Sequence, residues 1–219
     1  MPDSMRHFSP LDRLLSFIDE GLKTITNQSA NARRAGLPNP AADTPPSPLS
    51  AGETTHVAGL MRVNHAGEIA AQGLYHGQGL VAASPDLRAQ LAAAAREEGD
   101  HLAWCAERLT ELQAKPSLLN PVWYAGSVLM GVAIGAFGDA QSLGFVVETE
   151  RQVEQHLTDH LARLPRHDQR SRVLLETMRG DEIRHGQHAL DAGATPLPET
   201  FRRAMGLVSK VMTTTAYRL

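Results

Sequence analysis

The feature that most constrains the fold is a pattern of carboxylates and histidines that occurs twice along the chain. Glu68 is followed by the Glu-x-x-His motif Glu98–His101, and Glu150 is followed at nearly the same interval by a second motif, Glu182–His185. A Glu and a His at such positions share one face of an α-helix. One Glu from each of two helices, with Glu-x-x-His from each of two more, is the ligand set of carboxylate-bridged dimetal bundles.

Helix breakers near the midpoint of each half indicate two helical hairpins. Ser84-Pro85 interrupts the first half, and Pro165 interrupts the second. Ser84 lies almost midway between Glu68 and Glu98, and Pro165 lies almost midway between Glu150 and Glu182. Because every residue of a helix adds the same rise, the two carboxylates of each hairpin return to nearly the same height. The spacing therefore predicts one metal site built from six residues: Glu68, Glu98, His101, Glu150, Glu182 and His185.

The spacing is least decisive about which glutamate before Pro165 is the metal ligand. Glu148, Glu150 and Glu154 all lie there, and Glu150 shares a helix face with Glu154. Equal height within the hairpin favours Glu150, and Glu154 stays open as the alternative. A further Glu-x-x-His match, Glu53 with His56, stands at the start of the bundle. An acidic residue in a first helical turn needs no metal, so we interpret that pair as structural.

The donor set also indicates the kind of metal. Four carboxylates and two neutral imidazoles, without sulfur, suit iron or manganese. Four negative charges in a protein core are prohibitive unless they are compensated, and two divalent ions balance them. Such a centre is suited to redox cycling with O2, so we expect two metal ions and an oxygen-dependent reaction.

Several other residues near the motifs are candidates for supporting roles. Asp181 and Glu97 each lie one turn before a motif histidine, and either orient an imidazole or lie exposed on a charged face. His156 and His160 are off the Glu150 face, and we expect them at the surface or behind the ligands. We interpret Cys105 as a small core residue.

A polar stripe runs along the helix that carries the first carboxylate. Asn64, Gln72 and Tyr75 recur on the same face as Glu68. Buried polar groups are hydrogen-bonded, so these side chains are expected to contact metal ligands or substrate. Helix capping is the alternative explanation for Asn64.

The hydrophobic pattern predicts an all-α protein with a four-helix core and additional helices at its ends. Leu37–Ser50 holds five prolines and is predicted to be a linker. The predicted domains are 1–52, an amphipathic helix with this linker, and 53–219, the metal-binding bundle. The predicted helices cover residues 10–26, 55–83, 86–113, 122–163, 168–191 and 199–217, with a kink or break near 138–144 in the fourth of them.

Composition excludes some classes of function. A net charge of −3 argues against a nucleic-acid partner, which would need a basic stripe. A single cysteine allows neither an intramolecular disulfide nor a thiolate metal cluster. Residues 1–6 are not followed by a long apolar run, so no secretory signal is predicted and a reducing cytoplasm is the default.

One apolar segment allows an alternative to a fully buried helix. Pro121 to Gly138 contains no charged residue. It is either a buried helix, in which Gly131 and Gly135 permit close packing, or an apolar surface resting in a membrane interface. A true membrane span is not expected, because Glu150 must return to the same bundle. If the substrate is apolar, we expect its channel to run towards Trp123–Phe137.

Four runs of sequence carry a family resemblance: LMRVNHAGEIAAQGLYHGQ (60–78), EEGDHLAW (97–104), VVETE (146–150) and DEIRHGQHA (181–189). They resemble the demethoxyubiquinone hydroxylases, and VSKVMTTTAYRL (208–219) is similar to the family's ending. The resemblance covers the chain from about Leu60 onwards. It implies a ferritin-like fold in which the six residues named above bind two iron ions. Mitochondrial relatives have a tyrosine where Leu157 follows His156, so no tyrosyl role is carried over, and the segment 1–50 matches only loosely.

The resemblance also implies an activity and a location. The expected reaction uses O2 to hydroxylate the ring of a demethoxyubiquinol intermediate in ubiquinone biosynthesis. The expected substrate is a polyprenyl benzoquinol, and the expected location is peripheral, on the cytoplasmic face of the cell membrane. Other ubiquinone-biosynthesis proteins or a second copy of the chain are candidate partners. The competing hypotheses are a ferritin-like iron-binding or ferroxidase protein, a dimanganese catalase and a metal-free membrane adaptor.

Overall fold

The computed structural model describes residues 10–26 and 36–219. Residues 1–9 and 27–35 lie outside the described part. Both ranges belong to the predicted N-terminal region, so the prediction that residues 1–6 begin no secretory signal also falls outside it. Within the described residues every regular element is a helix, so the predicted all-α class is confirmed. The helices are α1 Pro10–Ile25, α2 Ala51–Val81, α3 Pro85–Glu111, α4 Asn120–Gly135, α5 Asp139–Arg163, α6 Gln169–Asp191 and α7 Glu199–Ala216.

Local capping chemistry sets where the core helices begin. Ser50 forms a capping box with Glu53, which starts α2 a few residues earlier than the apolar pattern predicts. Ser84 accepts hydrogen bonds from backbone amides at the start of α3, and Pro85 occupies its first turn. Asp168 caps α6 in the same way. The two predicted hairpins, α2–α3 and α5–α6, are therefore both present.

The kink or break predicted near 138–144 in the helix over 122–163 is a break, which divides the segment into two helices. The chain ends α4 at Gly135 and starts α5 at Asp139. Gly138 between them has φ +118°, a conformation that residues with a side chain rarely adopt. The sequence pattern placed a kink or break there, and the backbone of Gly138 makes it a complete break.

The core of the bundle consists of α2, α3, α5 and α6, and two clusters of buried apolar side chains fill its two ends. One end contains Trp104, Leu157 and Met178, and the other contains Leu91 and Val146. Between these clusters lie the carboxylates and histidines of the doubled pattern. The apolar clusters hold the four helices together on both sides of this polar layer. Their burial offsets the free-energy cost of placing carboxylates and histidines in the core.

Helix α4 packs along α2 at very short range. A Cβ at Gly77 would overlap the backbone carbonyl of Val128, and one at Gly131 would overlap that of Leu74. Glycines at both positions let the two backbones approach, as predicted for Gly131. The buried part of the 121–138 segment faces α2, while Leu129 and its neighbours face outward.

Helices α1, α4 and α7 form a layer on the outer side of α2. None of the helices in the described residues is both long enough and apolar enough to cross a membrane. The proline-rich segment lies against the bundle: Asn39 donates to Glu107 at 2.7 Å, and Arg170 donates to the carbonyl of Thr44 at 2.8 Å. The division into domains at residue 52 stays a prediction.

Candidate metal centre

All six residues predicted from the spacing lie together in the middle of the bundle. Each is buried, with an exposed fraction of 1% for Glu98 and at most 6% for His185. Glu68 comes from α2 and Glu150 from α5, while α3 and α6 each contribute one Glu-x-x-His motif. The equal heights inferred from helix rise are therefore present in the folded chain.

The ligand atoms form two overlapping groups in which the atoms lie within 4.8 Å of one another. The first group is Glu68, Glu98, His101 and Glu182, and the second is Glu98, Glu150, Glu182 and His185. Glu98 and Glu182 belong to both groups. Two carboxylates shared between two such groups are suited to bridging a pair of metal ions, with one histidine and one further carboxylate at each end.

Each histidine directs one ring nitrogen into the site and the other away from it. Nδ1 of His101 is 2.9 Å from Glu98 and 3.4 Å from Glu182. Its Nε2 is 3.0 Å from the Oδ2 atom of Asp181. His185 repeats this arrangement, with Nδ1 at 3.0 Å from Glu98 and Nε2 at 3.0 Å from Glu97.

Asp181 and Glu97 therefore act as the predicted orienting carboxylates, and they reach across to the opposite helix. Arg184 donates to Asp181 at 2.6 Å and to Glu97 at 2.7 Å, so it ties the two acids together. A carboxylate at Nε2 fixes the tautomer in which Nδ1 is the free donor for a metal. The alternative, in which both acids lie exposed on a charged face, is wrong.

The structure also decides between the candidates on α5. Glu150 lies in the cluster, whereas Glu148 pairs with Arg151 at 2.7 Å. Glu154 belongs to neither group. The hydroxyl of Tyr75 donates to the Oε1 atom of Glu150, so the polar stripe on α2 contacts a ligand as predicted. Gln72 of the same stripe instead donates to the carbonyl of Ala95 at 2.5 Å.

The electrostatics of the cluster are those of a site built for cations. Burial, together with the neighbouring carboxylates, raises the pKa values of Glu68 and Glu150 well above the ordinary range. Burial also opposes the charged form of Glu98, but His101 and His185 outweigh it and lower the pKa of Glu98. Burial disfavours charge on His185, yet the carboxylates of Glu182, Glu98 and Glu150 around it raise its pKa to about 12. Protons thus take the place that positive ions would fill.

Several inward-facing atoms have no hydrogen-bond partner. They are Oε1 of Glu98, Oε1 of Glu182 and Nδ1 of His185. His185 Nδ1 and Glu98 Oε1 are 3.0 Å apart without the geometry of a hydrogen bond. Buried donors and acceptors left unpaired are costly, and metal coordination would satisfy all three. The residues present therefore fit a pair of metal ions with oxygen and nitrogen ligands.

Several residues outside the cluster have structural roles. Glu53 completes the capping box of α2, and Nδ1 of His56 is 2.7 Å from the Tyr217 hydroxyl, so the third Glu-x-x-His match is structural as predicted. His160 is 2% exposed, and its ring lies against that of His156 with centroids 3.8 Å apart and the planes tilted by 57°, so the surface alternative is wrong for His160. Cys105 is fully buried beside Met178, in agreement with a core role.

Sequence reasoning missed one aromatic neighbour of the site. The indole ring of Trp104 is 5.2 Å from the ring of His101, and it is buried. Trp104 lies three residues after His101, and residues at that spacing share a helix face. This spacing could have predicted the contact from the sequence. Trp104 closes the site on the side of the first apolar cluster.

A cavity of about 170 Å³ adjoins the second group of ligands. Tyr75 and His185 line it beside the ligands, and the rest of the lining is mostly apolar, with Leu91 and Val146, but includes the polar residues Gln90, Glu97 and His188. The lining comes from α2, α3, α5 and α6, with no residue of 121–138. The channel expected towards Trp123–Phe137 is therefore not the cavity that reaches the site.

Comparison with known proteins agrees with the geometry. The family described as ubiquinone biosynthesis protein COQ7 matches residues 55–216. A protein named 3-demethoxyubiquinol 3-hydroxylase from Xanthomonas campestris pv. campestris (strain 8004) is 54% identical over 218 residues, covering 100% of this chain and 98% of that protein. Proteins of the same name from Cupriavidus metallidurans and Acinetobacter baylyi are 56% and 51% identical, covering 95% and 97% of this chain and 100% and 99% of their own lengths. The resemblance drawn from the four sequence runs is confirmed, and this chain belongs to the COQ7 family of ubiquinone biosynthesis proteins.

Proposed function

We propose that this protein is a 3-demethoxyubiquinol 3-hydroxylase that uses two iron ions and O2. The observation that carries the proposal is the pair of buried, overlapping ligand groups with an apolar cavity beside the second of them. The names of full-length relatives support the substrate, since 54% identity extends over the whole chain. In the balanced reaction one oxygen atom replaces a ring hydrogen as a hydroxyl group. The other leaves as water, and an external reductant supplies two electrons and two protons.

Bound iron would supply the redox capacity and Lewis acidity for O2 activation. The chain would supply the ligands: Glu68, His101, Glu150 and His185, together with Glu98 and Glu182, which belong to both ligand groups. The donors, four carboxylates and two imidazoles without a thiolate, suit iron, and manganese is the other metal that they suit.

The protein's own residues also position the substrate and exclude water. Leu91 and Val146 give the cavity an apolar wall that suits an aromatic ring and keeps bulk water from the reacting carbon. Tyr75 and His185 place that ring against the second ligand group. Asp181 and Glu97 keep both imidazoles in the tautomer that leaves Nδ1 free.

Turnover of a defined substrate tests the proposal. Protein loaded with ferrous iron under anaerobic conditions is mixed with a short-tail demethoxyubiquinol and then with O2, and the products are examined by mass spectrometry. We expect a product heavier by one oxygen atom that is absent without iron, and the Glu154→Gln variant serves as the active control. Ferrous oxidation without a hydroxylated product, with two irons bound, would instead favour a ferritin-like iron-binding or ferroxidase protein.

We further propose that the protein docks on a membrane surface that contains anionic lipid. Among the described residues, the large apolar side chains with the greatest exposure lie mostly on the layer of α1, α4 and α7, whereas α3 and α5 expose none. The layer's apolar residues are Leu15, Ile18 and Leu22 on α1, Val122, Leu129 and Met130 on α4, and Leu207, Val208 and Val211 on α7. Apolar side chains exposed in this number on one layer support an interaction site there.

Two further features favour lipid as the occupant of this layer. Arg203 and Lys210 extend from α7 beside its apolar residues, as in helices that lie in a membrane interface. Phe137, at the α4–α5 junction, and Leu190, at the end of α6, are exposed at the end of the bundle that contains the cavity. Docking there would let a polyprenyl chain remain in the lipid while its ring enters the cavity.

Vesicle flotation tests the docking surface. Vesicles of phosphatidylcholine and phosphatidylglycerol are mixed with the wild-type protein and with a Leu129→Glu, Val208→Glu double variant. We expect the wild type to float with the vesicles and the variant to remain in the soluble fraction. Thr158→Glu, on the exposed side of α5, is the matched control and should float. A double variant that floats as well as the wild type would contradict the proposal.

A further inference from the structure

Arg184 lies outside the ligand cluster but contacts both of the acids that orient the imidazoles. Its Nη1 atom donates to Oδ1 of Asp181 at 2.6 Å, and its Nη2 atom donates to Oε2 of Glu97 at 2.7 Å. Asp181 precedes it by one turn on α6, whereas Glu97 lies on α3. One guanidinium group therefore joins the two hairpins directly behind the ligand cluster.

Each of these acids also contacts one histidine of the cluster. Asp181 uses its two oxygens separately, since Oδ1 accepts from Arg184 and Oδ2 lies 3.0 Å from Nε2 of His101. Glu97 uses one oxygen for both partners, because the Oε2 atom that accepts from Arg184 also lies 3.0 Å from Nε2 of His185. His101 belongs to the first ligand group and His185 to the second. Arg184 is thus one residue removed from a histidine of each group.

A guanidinium group is well suited to this bridging position. It is always charged and only donates hydrogen bonds, so both contacts have a single possible direction. Its donors project in a rigid, planar fork, and two carboxylates bound to two of its nitrogen atoms are held in a fixed relation to each other. A lysine ammonium, in contrast, is a point charge on a flexible stem. An arginine can therefore transmit a displacement of one acid to the other.

The packing of the bundle makes this bridge important. Helices α3 and α6 belong to different hairpins, and their backbones come close at far fewer places than those of α2 and α3 or of α5 and α6. Near the start of α6, Arg108 of α3 donates to Asp168 and to Ser171, both at 2.9 Å. At the level of the ligand cluster, Arg184 donates across the same seam. The relative position of the two Glu-x-x-His motifs thus depends on side-chain contacts more than on backbone packing.

We propose that Arg184 is a positioning residue that couples the two ligand groups, so that the ordering of one histidine by a bound ion favours the binding of the second ion. Loss of Arg184 should weaken both groups, whereas each acid contacts the histidine of one group. The inference rests on the proposed function, since it takes the cluster to hold two metal ions. It gives Arg184 no contact with O2 or with the substrate.

Cobalt(II) binding to the metal-free protein tests the inference without turnover. Anaerobic titration in the presence of a competing chelator gives the two stepwise affinities, and the visible absorption of cobalt reports on its coordination. Arg184→Gln keeps a polar side chain but removes the charge and the fork. We expect both stepwise affinities to fall by about tenfold, at the lower end of the range for residues that orient metal ligands, because Arg184 acts through the two acids.

Arg151→Gln is the matched control for this titration. Arg151 also pairs with an acid one turn earlier on its helix, Glu148 at 2.7 Å, and its side chain is exposed to a similar extent. Since Glu148 belongs to neither ligand group, the control should keep both wild-type affinities. Arg184→Lys restores the charge without the fork, and it should recover only part of the loss and of the wild-type cobalt spectrum.

A double-mutant cycle measures the coupling itself. Asp181→Asn and Glu97→Gln are introduced singly and together, and the overall affinity for two cobalt ions is compared. Because residues in one hydrogen-bond network have non-additive effects, the double variant should lose less affinity than the product of the two single losses, by roughly threefold or more. In the Arg184→Gln background the two losses should simply multiply. The first of these cycles leaves Arg184 in place, so it does not depend on the folding of an Arg184 variant.

The outcomes separate this inference from the proposed function. Wild-type affinities in Arg184→Gln, a loss confined to one of the two steps, or single losses that multiply while Arg184 is present would overturn the coupling role and leave the two-metal site intact. Binding of fewer than two cobalt ions by the wild type would overturn the proposed function and this inference together.

Discussion

Asp181 lies one turn before His185 on α6, yet its Oδ2 atom is 3.0 Å from Nε2 of His101 on α3. Glu97 on α3 makes the reciprocal contact with His185 on α6, also at 3.0 Å. The two hairpins are thus joined by a crossed pair of histidine–carboxylate hydrogen bonds directly behind the ligand cluster. Arg184 holds both acids, so the orientation of one imidazole is coupled to that of the other.

Replacing Asp181 by Asn should weaken metal binding without removing a ligand. The amide cannot stabilise the Nε2–H tautomer of His101 as a carboxylate does, so we expect a loss of about 10- to 100-fold in affinity. Competition with a chelator, followed by metal analysis, measures the change. Asp191→Asn, an exposed acid on the same helix, is the control and should leave the affinity unchanged. Equal affinities in both variants would show that Asp181 has no part in the site.

Substitutions on α5 test which glutamate is a ligand. Glu150→Ala should leave the first group complete and lower the content from two metal ions to one, because Glu150 belongs only to the second group. Glu154→Ala should retain both ions. Glu182→Ala removes a residue common to both groups and should lose most of the metal. Elemental analysis of the purified proteins provides the count, and a loss of metal in Glu154→Ala would contradict the assignment.

The close packing of α4 on α2 predicts opposite effects for two glycine substitutions. A Cβ at Gly131 would lie 2.9 Å from the backbone nitrogen of Gln78, with no flexible side chain to give way, so Gly131→Ala should destabilise by about 2–3 kcal/mol. Gly126→Ala meets nothing within 4 Å and should stabilise by about 0.5–1 kcal/mol, because alanine restricts the unfolded chain and favours helix. Urea unfolding measures both. A neutral Gly131→Ala would mean that the two helices are not in contact in solution.

The buried pair of histidines at the far end of α5 predicts acid sensitivity. Burial lowers the pKa of His156 to about 4, and burial with the nearby His156 lowers that of His160 to about 2. In the unfolded chain both titrate near 6.5, so between these values the unfolded state binds more protons. Stability is therefore complete above about pH 6.5 and is lost as the pH falls towards 4. At pH 5 each histidine should account for up to about 2 kcal/mol.

Unfolding of the metal-free protein at pH 7 and pH 5 checks this sensitivity. In His160→Leu the loss of stability between the two values should be smaller than in the wild type. His167→Gln, whose side chain is half exposed, is the control and should keep the wild-type difference. The same pH dependence in His160→Leu and in the wild type would show that this pair does not govern acid sensitivity.

Helical spacing accounts for much of the fold and of the site. The boundaries of α3, α6 and α7 lie close to those predicted, because Ser84, Asp168 and the prolines near them act through local chemistry. For 122–163 the sequence left a kink and a full break as alternatives, since both have similar sequences, and the structure has a full break at Gly138. The sequence left His160 either at the surface or behind the ligands, because its burial depends on contacts remote in sequence.

The sequence alone predicted the six residues that lie together in the bundle, with Glu154 left open as the alternative to Glu150. Helix rise is a local quantity, so counting residues from Ser84 and from Pro165 places the two carboxylates of each hairpin at one height. Which atoms meet across the bundle was decided only by the tertiary structure. The rotation of each helix brings Asp181 to His101, brings Tyr75 to Glu150 and opens the cavity between α3, α5 and α6 rather than towards α4. These contacts depend on how four helix faces pack together, and no spacing within a single helix contains that information.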